Sequence, residues 1–216
     1  MAENQTRAGC ELYLIVPPEV THDMAVHVAE AGSAGTIACA LLQCGQDSRI
    51  HRDHAEMLLR FTRFAGLPLV FERDIQAAAE LGADGVHIPA DEDLYHDARK
   101  VLGEDAIVGA ECGLSRHDAL ILGELGVDYV AFKGPLNDTA NSVEMGLAAL
   151  VQWWSETVIV PCVAWDTENG CTERRLADAG ADFIAKGNSV WAHPEGLPAA
   201  MRKLSDMLAE HQASTQ

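Results

Sequence analysis

Short apolar runs alternate with helical patterns along the chain. The runs are continuous rather than alternating in polarity, which is typical of strands that are covered on both faces. The predicted strands are Leu12–Val16, Thr36–Leu42, Leu69–Phe71, Gly85–Ile88, Ile107–Ala110, Tyr129–Phe132, Val158–Ala164 and Phe183–Ala185. The predicted helices between or after them include Asp74–Leu81, Leu94–Leu102, Ser115–Leu125, Gly146–Ser155, Thr172–Ala179 and Gly196–Leu208.

A short phrase recurs where a predicted helix meets a predicted strand. Gly accepts the left-handed conformation that ends a helix, so each copy predicts a helix–Gly–strand joint. An Asp precedes the strand in three copies, and we expect these carboxylates to serve turns or helix caps. The copies are Ala31-Gly32-Ser33-Ala34-Gly35, Leu81-Gly82-Ala83-Asp84-Gly85, Leu125-Gly126-Val127-Asp128-Tyr129 and Ala179-Gly180-Ala181-Asp182-Phe183.

The alternation of eight strands with eight helices in 216 residues predicts an α/β fold, a (β/α)₈ TIM barrel. An open doubly wound sheet is the alternative. We expect one domain over residues 1–216, with a polar tail at 1–10 and a frayed tail at 211–216. Catalytic groups of such barrels follow the strands, so the working site is expected at the strands' C-terminal ends.

Charge and composition narrow the function classes. The formal net charge of −18 argues against nucleic acid and anionic membranes as partners, since both attract basic patches. A small anionic molecule stays compatible, provided that local cations hold it. The N-terminal residues lack the apolar stretch of a secretory signal, and the chain is expected to be cytoplasmic. The oligomeric state is left open, a homo-oligomer included.

Charged residues stand at the ends of four successive predicted strands. They are Glu111, Lys133, Asp166 and Lys186. Isolated charges at this depth are costly, so they should pair with each other or with a ligand. In the functional interpretation, Lys133 and Lys186 receive an anion while Glu111 or Asp166 transfers protons. The alternative interpretation is a structural ring of ion pairs.

The turn after the last strand is a candidate phosphate site. It reads Lys186-Gly187-Asn188, and TIM barrels often hold phosphate in the loops after their last strands. His87, inside the fourth strand, is either a buried, hydrogen-bonded histidine or a member of the site. Trp165, at the end of the seventh strand, could form the wall of a pocket for a flat ring.

Two acidic residues follow the fourth strand. Asp91 and Asp93 could hold Mg²⁺ with waters completing the octahedron. The alternative is a solvated cap at the start of the next helix, where acidic side chains are favoured.

From about Leu12 to Leu208 the sequence resembles the thiamine phosphate synthase family and its relative, the thiazole tautomerase. The stretches that carry the resemblance are Leu81 to Ile88, Val127 to Phe132 with Gly134-Pro135, Gly146-Leu147 with Val160 to Ala164, and Ala179 to Ala185. The resemblance implies a TIM barrel of thiamine biosynthesis. Synthases of this family join a pyrimidine diphosphate to a thiazole phosphate with Mg²⁺ and release pyrophosphate.

The residues that carry this chemistry in the family are largely replaced here. The strand-two glutamine is matched by Gln43, but the arginine and lysine that accompany it are missing. The Asn-Asp pair, whose Asp binds metal, is replaced by Glu72-Arg73, and the second metal aspartate falls among Asp91, Glu92 and Asp93. Glu111 stands in place of a serine. The loops Asn137 to Ser142 and Asp166 to Glu168 lack the family's lysine and its Gly-Gly-Ile phosphate motif.

Three functions remain open at this point. The first is a thiamine phosphate synthase-like protein that binds a phosphorylated heterocycle through Gln43, Arg73, His87, Lys186, Gly187 and Asn188. The second is a thiazole tautomerase-like isomerase, which needs a phosphate site and one proton-transfer group but no metal. The third is a catalytically inactive barrel with a binding or regulatory role. Weak or absent thiamine phosphate synthesis is expected, because the strand-two cations and the glycine loop that bind pyrophosphate in the family are missing.

Overall fold

The strands close into a parallel barrel in chain order. The computed structural model describes residues 9–135, 146–165 and 173–215. Each strand pairs with the next along the chain, and β8 pairs with β1. This closure confirms the (β/α)₈ barrel over the open sheet. The strands are β1 (Glu11–Val16), β2 (Cys39–Leu42), β3 (Leu69–Glu72), β4 (Gly85–Pro89), β5 (Ile107–Gly113), β6 (Tyr129–Lys133), β7 (Cys162–Trp165) and β8 (Phe183–Lys186).

Helices follow the strands, with one more helix than the predicted alternation. The described residues form α1 (His22–Ser33), α2 (Arg52–Ala65), α3 (Ile75–Leu81), α4 (Glu92–Leu102), α5 (Arg116–Leu125), α6 (Leu147–Thr157), α7 (Glu173–Asp178), α8 (Asn188–Trp191) and α9 (Leu197–Thr215). The additional helix is α8, a single turn between β8 and α9. The predicted frayed tail at 211–216 is wrong, since α9 continues to Thr215 and the His211 ring contacts Asp178.

The helix–Gly–strand joints form as the repeated phrase predicts, with one exception. Gly82 and Gly126 end α3 and α5 with φ of 70° and 100°, a conformation that a side chain disfavours. Gly32, by contrast, lies inside α1, and the positive φ of 67° falls on Gly35 instead.

The three Asp residues of the repeat tie neighbouring strands together at the N-terminal face of the barrel. Each precedes an even-numbered strand and accepts the backbone N–H at the start of the odd-numbered strand beside it. They are therefore structural, as expected, but they bind strand starts rather than turns or helix caps. The hydrogen bonds are Leu69 N–Asp84 Oδ2 (2.8 Å), Val108 N–Asp128 Oδ2 (2.7 Å) and Cys162 N–Asp182 Oδ2 (2.8 Å).

Side chains of the strands divide between two apolar clusters. One fills the barrel interior and includes Tyr13, Tyr129 and Trp165. The other lies between the strands and the helices and includes Leu14 and Ile184. Successive residues of a strand point to opposite faces, so each strand alternates between the two clusters.

Two predicted strands are shorter than the apolar pattern indicates. The second begins at Cys39 rather than at Thr36, and the seventh begins at Cys162 rather than at Val158. Ile159 is 95% exposed, so the apolar run there begins in a surface connection. Within the described ranges, no helix has the length and apolar character needed to cross a membrane.

Candidate active site

Six residues at the strand ends β3 to β7 make up what we call the mouth cluster. Glu72 and Arg73 lie at the end of β3, His87 on β4, Glu111 on β5, Lys133 at the end of β6 and Trp165 at the end of β7. The pairing of strands places Glu72 beside His87, and Lys133 beside Trp165. Lys133 and Arg73 are exposed, Glu72 and Glu111 are half-buried, and His87 and Trp165 are buried.

His87 is the buried polar centre of this cluster. It is 2% exposed, and its Nδ1 lies 3.0 Å from the Tyr129 hydroxyl. Burial, and then the positive charges of Arg73 and Lys133, together lower the pKa of His87 from 6.5 to about 3. The imidazole is therefore neutral at physiological pH. Its Nε2 is a buried atom without a hydrogen-bond partner in the described part of the chain.

A chain of hydrogen bonds inside the barrel connects His87 to two tyrosine hydroxyls. Tyr129 lies at its centre, because its hydroxyl shares one hydrogen bond of 2.8 Å with the Tyr13 hydroxyl and another of 3.0 Å with His87 Nδ1. The tautomer of the imidazole sets which of the two groups donates in the second bond. Burial raises the pKa of both tyrosines well above 10, so both hydroxyls stay protonated.

Two cations flank this neutral histidine. Lys133 Nζ lies 5.7 Å from the centre of the Trp165 ring, and the His87 ring centre lies 5.3 Å from the same indole. Arg73 has φ of 61°, a left-handed conformation that costs energy for a residue with a side chain and is often found at functional sites. Its backbone N–H donates to the His87 carbonyl at 2.8 Å, which holds that conformation. The mouth thus has positive charge beside flat rings.

Glu72 is engaged by the loop after β2. Its Oε2 accepts the backbone N–H of Cys44 at 3.0 Å and the Cys44 thiol at 3.2 Å. The pKa of Cys44 is raised to about 11, by burial and then by the bond to Glu72. Gln43, half-buried at the end of β2, donates its backbone N–H to the Val16 carbonyl at 2.9 Å. The Glu72 carboxylate therefore orders this loop.

Glu111 is the second carboxylate of the mouth cluster, and it differs from Glu72 in being available to bind a ligand. It is half-buried on β5, beside Pro89 of β4 and Ala131 of β6. Within the described residues, its side chain has no hydrogen-bond or ion-pair partner. A carboxylate in this position can exchange a proton with a bound molecule.

Lys186 does not join the mouth cluster. It lies in register with Leu14, on the outer face of β8, whereas the preceding Ala185 faces the barrel interior. Its Nζ binds Glu173 Oε1 of α7 at 2.7 Å. The expected convergence of Lys186 with Lys133 is therefore wrong, because alternation along β8 sends the lysine outward.

The two residues after Lys186 begin the short helix α8. Gly187 is its N-cap, and Asn188 is exposed in its single turn. A Cβ at position 187 would meet Ile15 at 3.5 Å, which is an ordinary contact, so the packing of the protein itself does not require glycine here. Close approach of a ligand to Gly187 stays a prediction. Asp166 lies outside the described residues.

The acidic loop after β4 begins helix α4. Asp91 Oδ1 accepts the Leu94 N–H at 3.0 Å and is the N-cap, while Asp93 is exposed in the first turn. The cap interpretation is thus confirmed for Asp91. Among the described ranges, no three His, Cys, Asp or Glu side chains come together as a metal-binding group. A Mg²⁺ ion at Asp91 and Asp93 remains a prediction.

Reasoning from sequence missed Glu173, Tyr13, Tyr129 and Cys44. The expectation that buried charges pair was correct, but the partner of Lys186 comes from α7 rather than from another strand end. The tyrosines stand inside apolar runs, where a hydroxyl gives no signal of its partner. The signal that could have found them is a general one: a tyrosine hydroxyl that is buried usually has a hydrogen-bond partner nearby.

Comparisons with known proteins agree with the fold and indicate the lineage. The sequence profile described as thiamine monophosphate synthase matches residues 12–190. A thiamine-phosphate synthase of Rhodospirillum centenum is 39% identical over 203 residues, which span 89% of this chain and 94% of the relative. Another, from Hyphomonas neptunium, is 35% identical over 92% of this chain and 93% of its own.

A solved structure shows the same architecture. The thiamine phosphate pyrophosphorylase from Pyrococcus furiosus superimposes with a TM-score of 0.74 over 93% of this chain and 96% of its own, at 21% identity. Taken with the profile match and the two relatives, the conclusion is that the chain belongs to the thiamine monophosphate synthase family.

Proposed function

We propose that the protein binds a phosphorylated heterocycle of the thiamine pathway in the mouth of its barrel. Its function is thiamine phosphate synthase-like, as its family membership indicates. The observation that carries the proposal is the pair of cations, Arg73 and Lys133, beside the neutral His87 and the Trp165 indole. In a chain with a net charge of −18, this pair supplies the local positive charge that a small anion needs, beside the carboxylates of Glu72 and Glu111.

Each part of the mouth cluster then has a role. Lys133 and Arg73 bind the phosphate, while Trp165 supports the flat ring. His87 Nε2, which has no hydrogen-bond partner among the described residues, is suited to bind a polar group of the ligand. Glu111 acts as the proton-transfer group. We also keep Gln43 and Asn188 as proposed contacts of the ligand at the edge of the barrel mouth.

We further propose that synthase turnover is weak or absent. The motif directly after β2, Gln43-Cys44-Gly45, offers no cation, and Glu72 is engaged by Cys44 rather than available to a metal. Asp91 and Asp93 supply two carboxylates without a third protein ligand in the described ranges. Mg²⁺ would then depend on phosphate oxygens of the ligand itself, as is usual for this ion. A pyrophosphate leaving group is held less firmly under these conditions.

A thiazole tautomerase-like isomerase is the second candidate, and Glu111 is the observation that favours it. A shift of one proton within a phosphorylated ring needs a phosphate site and a single acid–base group. Arg73 with Lys133, and Glu111, would supply both without a metal. A catalytically silent barrel would use the same phosphate site for binding alone.

The proposal is tested by isothermal titration calorimetry with thiazole phosphate and with the pyrimidine diphosphate, each with and without Mg²⁺. We expect saturable binding of the thiazole phosphate, weakened about ten-fold or more by Lys133→Ala. Arg202→Ala on α9 removes a positive charge from an exposed position that lines no part of the mouth and serves as the control. Equal effects of both variants, or no binding, would refute the site.

Activity measurements separate the candidates. A coupled synthase assay with turnover at ordinary enzyme rates of about 1 s⁻¹ or more would overturn the expected loss of synthesis. Ring isomerisation that disappears in Glu111→Gln, with binding retained, would establish the isomerase. Binding without any turnover would establish the silent barrel.

A further inference from the structure

A second cleft lies outside the barrel, against the outer face of β8. Helices α7, α8 and α9 enclose it, and none of the mouth cluster's residues lines it. Its volume is about 450 Å³. This volume falls within the range of small-molecule sites in proteins, roughly 300–1,000 Å³.

A buried ion pair borders the cleft. Lys186 Nζ lies 2.7 Å from Glu173 Oε1, and the two side chains are 5% and 9% exposed. Removing two charges from water is expensive, and an apolar pair of similar volume often stabilises a fold as well or better. A role for these charges beyond stability is therefore expected, and the cleft that they line is where a ligand would meet them.

The rim of the cleft is basic. Arg174 of α7 and Lys203 of α9 are exposed there, and half-buried His193 follows α8. Among the described residues that line the cleft, three permanent cations, Lys186 included, meet one carboxylate, that of Glu173. In a chain with a net charge of −18, this local excess of positive charge attracts anions.

The wall of the cleft is apolar. Leu204 and Met207 lie half-buried on α9, behind the basic rim, and Val190 and Ala200 are buried beside them. The unbranched, polarisable Met side chain adapts to the shape of an apolar ligand. Basic and apolar surfaces thus lie side by side in one cleft.

We propose that this cleft binds a small amphipathic anion. The phosphate or carboxylate head contacts Lys203 and Arg174, and the apolar part lies on Leu204 and Met207. This site is separate from the mouth cluster, so it stands independently of the function proposed above.

Titration calorimetry with two probes tests the proposal, octyl phosphate and octanoate, both below their micelle concentrations. Octanol has the apolar chain without the charge, and inorganic phosphate has the charge without the chain. Their affinities therefore measure the contribution of each half of the probe separately. We expect at least one probe to bind one to one, about ten-fold or more tighter than either half. The stronger probe identifies the preferred head. Equal binding of octanol, equal binding of inorganic phosphate, or no binding of either probe would overturn the proposal.

A matched pair of variants locates the binding. Lys203→Glu reverses a charge on the rim, and Arg202→Glu makes the same change at the neighbouring exposed position of α9, which does not line the cleft. We expect about ten-fold weaker binding in the first variant and less than about two-fold in the second. Equal losses would show long-range electrostatics rather than a site. Lys133→Ala should leave probe binding unchanged, and a loss there would place the probe in the mouth and contradict the proposal.

Discussion

At the scale of the residue, His87 shows how surroundings decide a side chain's chemistry. Tyr129 and the apolar interior surround the imidazole, and two cations lie above it, so its protonated form is strongly disfavoured. A histidine of this kind stays neutral at a pH at which an exposed histidine would begin to carry charge.

The stability of the fold should therefore depend on pH through His87. Its pKa is about 3 in the folded protein and close to the ordinary 6.5 in the unfolded chain. Between these values the unfolded chain binds the extra proton, so stability is retained above pH 6.5 and is lost as the pH falls below it. From pH 6.5 to pH 5 we expect a loss of about 2 kcal/mol in the free energy of unfolding.

Urea unfolding at several pH values measures this loss. His87→Phe should remove this part of the pH dependence, whatever its effect on stability at neutral pH. The same change at exposed His117 is the control and should leave the dependence intact. An unaltered slope in His87→Phe would show that other groups cause the acid sensitivity.

At the scale of the element, the joint between a helix and the next strand has two structural roles. The glycine ends the helix, and the Asp two residues later binds the neighbouring strand. Asp128 has an additional partner, since Arg99 of α4 binds the same carboxylate at 2.8 Å. One side chain thus connects β5, β6 and α4.

Asp128→Ala should destabilise the fold without affecting the mouth. The Val108 N–H loses its acceptor and the Arg99 guanidinium loses a charged partner, which together are expected to cost about 2 kcal/mol. Urea unfolding measures the loss, and Asp97→Ala at an exposed position of α4 is the control. A shift in thiazole phosphate affinity in Asp128→Ala would argue against a purely structural joint.

At the scale of the whole molecule, the two faces of the barrel wall separate two groups of charges. Lys133 and Arg73 belong to the mouth, while Lys186 and Glu173 lie behind the wall, between β8 and the helices. A ring of ion pairs around the mouth would have required Lys133 and Lys186 to lie on the same side of the barrel wall. They lie on opposite sides of it.

Lys186→Met should consequently affect stability and leave ligand binding in the mouth unchanged. It leaves the buried Glu173 without its cation, at an expected cost of roughly 3–5 kcal/mol in the free energy of unfolding. Adding Glu173→Gln should restore much of that stability. Thermal unfolding and thiazole phosphate titration test both parts. An affinity loss of about ten-fold in a folded Lys186→Met protein would assign Lys186 to the mouth after all.

By itself, the sequence determined the barrel, the repeated joint and the end of the barrel at which to look for the site. These features follow from neighbouring residues: apolar runs, glycines that end helices, and the alternation of short segments. Tertiary structure alone decided which strand-end charges meet. Strands covered on both faces are apolar on both, so their pattern does not tell the inner from the outer side. A shift of one residue then reverses every side chain, and for that reason Lys186 faces Glu173 while Lys133 faces the mouth.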